Sequence, residues 1–99
     1  MPALILQPSG AFRRDLKRAA AKGVDIEAVQ DVVELVRRND PDSLAELRRR
    51  HRCHLLEPKR AGIWECHVAN TGDLLLTWRT DGKTAYLLHL GDHDHALGR

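Results

Sequence analysis

Residues 62–90 read GIWECHVANTGDLLLTWRTDGKTAYLLHL, and the side-chain period in this stretch decides the fold. Three segments, Ile63 to Val68, Asp73 to Arg79 and Thr84 to Leu90, are rich in β-prone residues and separated by Asn70-Thr71-Gly72 and Asp81-Gly82. Each separator is a turn signal, so three antiparallel strands follow. If Asp81-Gly82 forms a two-residue type I′ turn, Arg79 faces Thr84, Trp78 faces Ala85, Leu76 faces Leu87 and Leu74 faces His89. Leu74, Leu76, Trp78, Ala85, Leu87 and His89 then share one face, and Asp73, Leu75, Thr77, Arg79, Thr84, Tyr86, Leu88 and Leu90 the other. Both faces are partly apolar, which leaves open the one that helices cover.

Upstream the period lengthens. Ala3 to Gln7 is a short apolar segment ended by Pro8, long enough for one strand. Ser9 offers an N-cap, and Phe12, Leu16, Ala19 and Ala20 recur at helical steps while Arg13, Arg14, Lys17 and Arg18 fill the other turns. Gly23 supplies a stop and Asp25 caps a second helix with the stripe Ile26, Val29, Val33 and Val36, widened by Val32 and Leu35. The tight connection makes the two helices antiparallel neighbours. Asn39-Asp40-Pro41 ends the second, after which Leu44 and Leu47 can anchor one or two more helical turns. The expected architecture is α+β: an N-terminal strand, an antiparallel helical hairpin and a three-stranded antiparallel sheet.

The 99 residues are enough for one domain, 1–99, with a single core. Hydrophobic residues at 42% and charged ones at 30% describe a globular chain with a solvated surface. The opening Met1-Pro2-Ala3-Leu4-Ile5-Leu6 is too short an apolar run for a signal peptide or a spanning helix, so a cytoplasmic protein without a membrane partner is expected. Cys53 and Cys66 give no disulfide framework and read as inert small residues. Phe12, Trp64, Trp78 and Tyr86 read as core or cross-strand packing.

Charge and histidine are unevenly placed. The net charge is only +2, yet Glu46 to Arg60 sets six permanent cations, Arg48, Arg49, Arg50, Arg52, Lys59 and Arg60, against two carboxylates. Phosphate would be attracted there, with Arg79 adding a cation on the sheet. All six histidines, His51, His54, His67, His89, His93 and His95, follow residue 50, with Asp73, Asp92 and Asp94 near them in sequence. There is no Gly-rich phosphate loop, His-Glu-x-x-His helix, Cys-x-x-Cys pair or Gly-x-Ser-x-Gly elbow. Imidazole, with an unperturbed pKa of ~6.5, can both take and give a proton at neutral pH. Cutting RNA needs both acts, one at the ribose 2′-hydroxyl and one at the departing 5′-oxygen, plus cations for the charge on phosphorus. Histidines on adjacent strands beside a basic loop supply these parts without a metal or cofactor.

The ordered pattern resembles the RelE/ParE superfamily of toxins from type II toxin–antitoxin pairs, and within it the YafQ-like messenger-RNA endonucleases. The resemblance runs through the initial strand, the helical hairpin, His54-Leu55 in the basic loop and His67-Val68 at a strand end. It continues through Asp73-Leu74-Leu75-Leu76 opening the next strand and Gly91-Asp92-His93 near the end. It implies that His54, His67, Asp73 and His93 bind and cleave RNA, with His93 the general acid, His67 and Asp73 acting on the 2′-hydroxyl and His54 contacting the phosphate or exchanging a proton. It also implies a cognate antitoxin partner and cleavage in the ribosomal A site, against messenger and ribosomal RNA. The chain departs from the family where His89 replaces an arginine, Leu74 an aromatic and Leu97 a phenylalanine. A histidine is a weaker fixed cation than arginine, and each lost aromatic removes a stacking surface of roughly 1–3 kcal/mol.

Two rivals stand beside this reading. A zinc site could draw on Cys53-His54, Cys66-His67 and His93-Asp94-His95, but neighbouring side chains on a strand point apart and no ligand pair separated by two residues nucleates it. A toxin of the same fold without nuclease chemistry, or an inert binding domain, is the other. His51 and His95 read as solvated bystanders, with His95 able to replace His93 if the tail is offset by two residues.

Overall fold

The computed structural model describes residues 2–56, 62–68 and 73–92. Among the described residues a mixed sheet of five strands carries three helices. In chain order these are β1 (Ile5–Pro8), α1 (Gly10–Ala21), α2 (Ile26–Arg38), α3 (Pro41–His51), β2 (His54–Leu55), β3 (Trp64–His67), β4 (Leu75–Thr80) and β5 (Thr84–Gly91). The sheet order is β1-β5-β4-β3-β2, with β1 parallel to β5 and the remaining pairs antiparallel. The α+β expectation holds, and the sheet is wider than three strands because β1 and the two-residue β2 extend its edges. No helix among the described residues is long and apolar enough to cross a membrane.

Each helix begins at a side chain that satisfies an otherwise orphaned amide. Ser9 accepts from the Phe12 amide at 2.9 Å, Asp25 from Glu27 at 3.0 Å and Asp40 from Ser43 at 2.7 Å, with Pro41 opening α3. Carboxylate caps are charge-assisted, and the Ser43 contacts hold the Asp40 carboxyl below the usual range. The third helix runs a full 11 residues rather than one or two turns, because Asp40 and Pro41 form a complete start signal. It ends at Arg52, whose φ of 46° is left-handed, a conformation that costs a non-glycine residue roughly 1–2 kcal/mol.

The core lies between the helices and one face of the sheet. It combines Phe12 and Ala19 of α1, Val29, Val32 and Val36 of α2 and Leu47 of α3 with Cys66, Leu76, Trp78, Ala85, Leu87 and Leu90. Trp64 and Trp78 are paired across β3 and β4 and stack at 5.9 Å between ring centroids. The cysteines are not inert residues: Cys53 and Cys66 form a disulfide, with their α-carbons 4.2 Å apart. It ties the end of α3 to β3 beneath β2, and the Trp78 indole donates to Cys66 Sγ at 3.4 Å.

The β4–β5 register differs from the expected one in two steps. Thr80 faces Ala85, Arg79 faces Tyr86 and Trp78 faces Leu87. The turn is longer than two residues because the Asp81 carboxylate accepts from the Lys83 and Thr84 amides at 2.9 and 2.8 Å, which also holds that carboxyl below its ordinary range. The register then slips at Thr77/Trp78, so that Thr77 faces His89 and Leu76 faces Leu90. Leu88 is the extra residue of a β-bulge. The expected set Leu76, Trp78, Ala85 and Leu87 does face the helices, but the bulge turns His89 to the opposite face and brings Leu90 into the core.

Candidate active site

Because directly paired residues of neighbouring strands point to the same side, the register defines a polar row across four strands. His54 on β2 pairs with Glu65 on β3, Glu65 with Thr77 on β4, and Thr77 with His89 on β5. Two residues along β3, His67 projects from the same face, paired with Leu75, while Arg79 and Tyr86 lie on the other side of the row. Six of these seven positions alternate strictly with the core residues, and the bulge supplies the seventh, His89.

Glu65 is the centre of this row. Its side chain is 4% exposed, with His54 Nε2 at 3.7 Å and His67 Nε2 at 4.0 Å from the same oxygen, Oε1. Glu65 Oε2 and His67 Nδ1 are buried and make no hydrogen bond among the described residues. A buried carboxylate normally satisfies its lone pairs, since desolvation without partners costs several kcal/mol. An orphaned carboxylate oxygen flanked by two imidazoles marks a site poised for a ligand or a proton.

The surrounding residues orient these rings. His54 Nδ1 donates to the Arg52 carbonyl at 2.9 Å, which leaves Nε2 as its working nitrogen. Burial pushes the His67 imidazole below the ordinary histidine range, Arg52 and His54 push the same way, and Glu65 and Asp73 partly oppose them. His67 is therefore neutral at pH 7, the form that accepts a proton. His51 is not a solvated bystander, because its Nδ1 donates to the His67 carbonyl at 2.9 Å and anchors the end of β3 to α3. His89 Nδ1 lies 3.6 Å from Asp15 Oδ2 of α1.

The structure thus brings together His54, His67 and, along the row, His89. Asp73 is exposed at the entry to β4, near enough for its charge to act on His67. Arg48, Arg49 and Arg50 are exposed on the last turn of α3, with Arg50 paired to Glu46 at 3.2 Å, and Arg52 follows in its left-handed turn. Arg79 stacks its guanidinium over the Tyr86 ring at 4.9 Å on the site's face. His93, Lys59 and Arg60 lie outside the described residues, as do His95 and Leu97. Among the described residues no three His, Cys, Asp or Glu side chains form a group that could hold a metal ion. A candidate site residue missing from the sequence reading is Glu65. Its signal was its place two residues before His67, which on a strand puts both on one face.

Comparison with known proteins adds the relationship that geometry cannot. Solved structures that match include a metal-bound toxin from Helicobacter pylori, 28% identical, covering 93% of this chain and 97% of that one at a TM-score of 0.77. They also include YafQ from Escherichia coli, 21% identical over 93% and 96% of the two chains with a TM-score of 0.78. The E. coli DinJ–YafQ toxin–antitoxin complex matches at 19% identity, 94% and 96% coverage and a TM-score of 0.78. Comparison with curated proteins finds no match. The model of the bacterial toxin of type II toxin–antitoxin systems, YafQ, matches residues 4–98, nearly the full length, and the chain belongs to this family of toxins.

Proposed function

We propose that this toxin is a metal-independent endoribonuclease that cleaves messenger RNA in the A site of the ribosome. The observation that carries the reading is the buried Glu65 carboxylate with His54 and His67 beside one of its oxygens and, among the described residues, no hydrogen bond at the other. Cleavage forms a bond between the ribose 2′-oxygen and phosphorus and breaks the bond from phosphorus to the 5′-oxygen. A base removes the 2′-proton, an acid protonates the departing oxygen, and the products carry a 2′,3′-cyclic phosphate and a 5′-hydroxyl. Neutral His67 is the base, with Asp73 at the mouth of the site and Glu65 orienting both imidazoles. His54 contacts the phosphate or exchanges its proton, His89 faces the growing charge on phosphorus, and His93 is assigned the general acid through the family resemblance.

Arg48, Arg49, Arg50, Arg52, Lys59, Arg60 and Arg79 would hold RNA phosphates, of which Arg79 lies on the face of the polar row and Arg52 acts on His67 through its charge. A cognate antitoxin is the expected protein partner, by analogy with the DinJ–YafQ complex. The cytoplasm, where messages are translated, is the corresponding compartment.

The test is to incubate purified protein with translating ribosomes and map the message ends. New ends inside the decoding site, lost in His67→Gln, support the reading. Translation arrest with intact messages would instead favour a toxin of the same fold without nuclease chemistry.

A further inference from the structure

The polar row contains one member that strand alternation alone would have buried, and the device that exposes it is held by α1. Pairing of β1 with β5 stops at Pro8 and Leu87, so the next residues of β5 lie beside the start of α1 rather than beside a strand. There Ser9 Oγ donates to the carbonyl of Leu88, the bulge residue, at 2.8 Å, and the Ser9 amide donates to the Leu87 carbonyl at 2.9 Å. Six residues on, the Asp15 carboxylate accepts from the Leu90 amide at 3.0 Å. These contacts bracket His89 on both sides.

Asp15 is an unusual residue at its position. It lies three residues after Phe12 and four before Ala19, on the buried stripe of α1, and its side chain is only 4% exposed. Arg18 approaches Asp15 Oδ1 at 3.8 Å, and His89 Nδ1 approaches Oδ2, the oxygen that receives the Leu90 amide, at 3.6 Å. A carboxylate on this stripe does not add apolar packing, so its value lies in what its oxygens face.

We propose that Asp15 is a positioning residue for His89, fixing both the bulge that turns the imidazole onto the cleavage face and the edge of the ring that meets RNA. This rests on the ribonuclease reading above. With Asp15 on the Nδ1 edge, Nε2 is the nitrogen presented to the phosphate, in line with Thr77 and Glu65. A buried carboxylate that orients an imidazole without touching substrate is a recurring catalytic arrangement. Here it serves the position at which the family resemblance places an arginine.

Asp15→Asn keeps an oxygen for the Leu90 amide and removes the charge facing His89, so it separates folding from positioning. In ribosome-bound cleavage, Asp15→Asn should lower kcat about 10- to 100-fold with KM changed less than about twofold. In a His89→Gln background the same substitution should add less than about a twofold loss. A full additional loss in that background, or wild-type kcat in Asp15→Asn alone, overturns the proposal. Ring ¹⁵N resonances, which report the proton-bearing nitrogen, give a second readout independent of cleavage. Those of His89 should move in Asp15→Asn while those of His67 stay in place, and unmoved His89 resonances overturn the proposal. If they move but the wild-type protein cuts no message, the ribonuclease reading fails and the Asp15–His89 pairing stands.

Discussion

The two faces of the sheet are built by opposite rules. On the helix-covered face, Cys66, Leu76, Trp78, Ala85, Leu87 and Leu90 interlock with α1, α2 and α3, and the polar atoms that enter have partners, as the Trp78 indole has Cys66. On the other face, Glu65, His67, Thr77 and His89 are brought together, and a carboxylate oxygen and an imidazole nitrogen lie buried without a hydrogen bond among the described residues. The first arrangement maximises burial of apolar area. The second places chargeable groups where they are least comfortable, which is how active sites tune acids and bases. One stretch of strand sequence thus encodes a packed core on one side and a cluster of titratable groups on the other.

Substitutions on the two faces should therefore separate activity from stability. His67→Gln removes the proposed base and should lower kcat by roughly 10²–10⁴-fold, with little change in unfolding free energy. Leu76→Ala should do the reverse. It is fully buried beneath the helices, and its truncation should cost about 2–5 kcal/mol in urea unfolding while the folded fraction keeps its kcat. Loss of activity per folded molecule in Leu76→Ala, or loss of fold in His67→Gln, would break the separation.

Reduction of the disulfide gives a smaller effect, on stability. The bridge closes a loop with a sequence separation of 13, and the chain-entropy model assigns such a loop about 3 kcal/mol or less. Urea midpoints measured with and without a thiol reductant read this out directly. An unchanged midpoint would mean that burial in the core, and not the covalent link, holds Cys53 against Cys66.

The smallest effect is on pH dependence. Burial lowers the His67 pKa, so its base form persists below the ordinary value of ~6.5, and the acid limb of kcat/KM should lie below that pH. Removing the Glu65 charge by Glu65→Gln should carry the limb further to acid, and removing the Arg52 charge by Arg52→Gln should carry it back toward neutrality. Folding has the matching sign. A histidine less protonated when folded favours the native state fully above the unfolded pKa, and this contribution falls as the pH drops from ~6.5 toward the lowered folded value. Limbs that move in the opposite directions would contradict the assignment of His67 as the base.

Much of this was legible in the sequence because hydrophobic period and capping residues are local signals. Ser9 and Asp25 mark the starts of α1 and α2, and the alternation in 62–90 yields β3, β4 and β5. Three features escaped because they depend on long-range pairing. The bulge falls in Leu87-Leu88-His89-Leu90, where three leucines surround one histidine and nothing in composition says at which residue alternation breaks. The Cys53–Cys66 bond needs α3 to run to His51 and the chain to return as β3, which the spacing alone does not reveal. The burial of Glu65 follows from having β2 on one side and β4 on the other. Two clues were nonetheless local: Glu65 shares a strand face with His67, and Asp15 interrupts the apolar stripe of α1.

The claim on which the rest depends is that this face takes a proton from a ribose 2′-hydroxyl. The direct measurement uses ribosome-bound messages that are identical except for one 2′-deoxynucleotide immediately 5′ of the cleaved bond. The account predicts that the all-ribose message is cut to 2′,3′-cyclic phosphate and 5′-hydroxyl ends while the substituted message stays whole at that position. Equal cleavage of both, or products bearing 5′-phosphates, would contradict it.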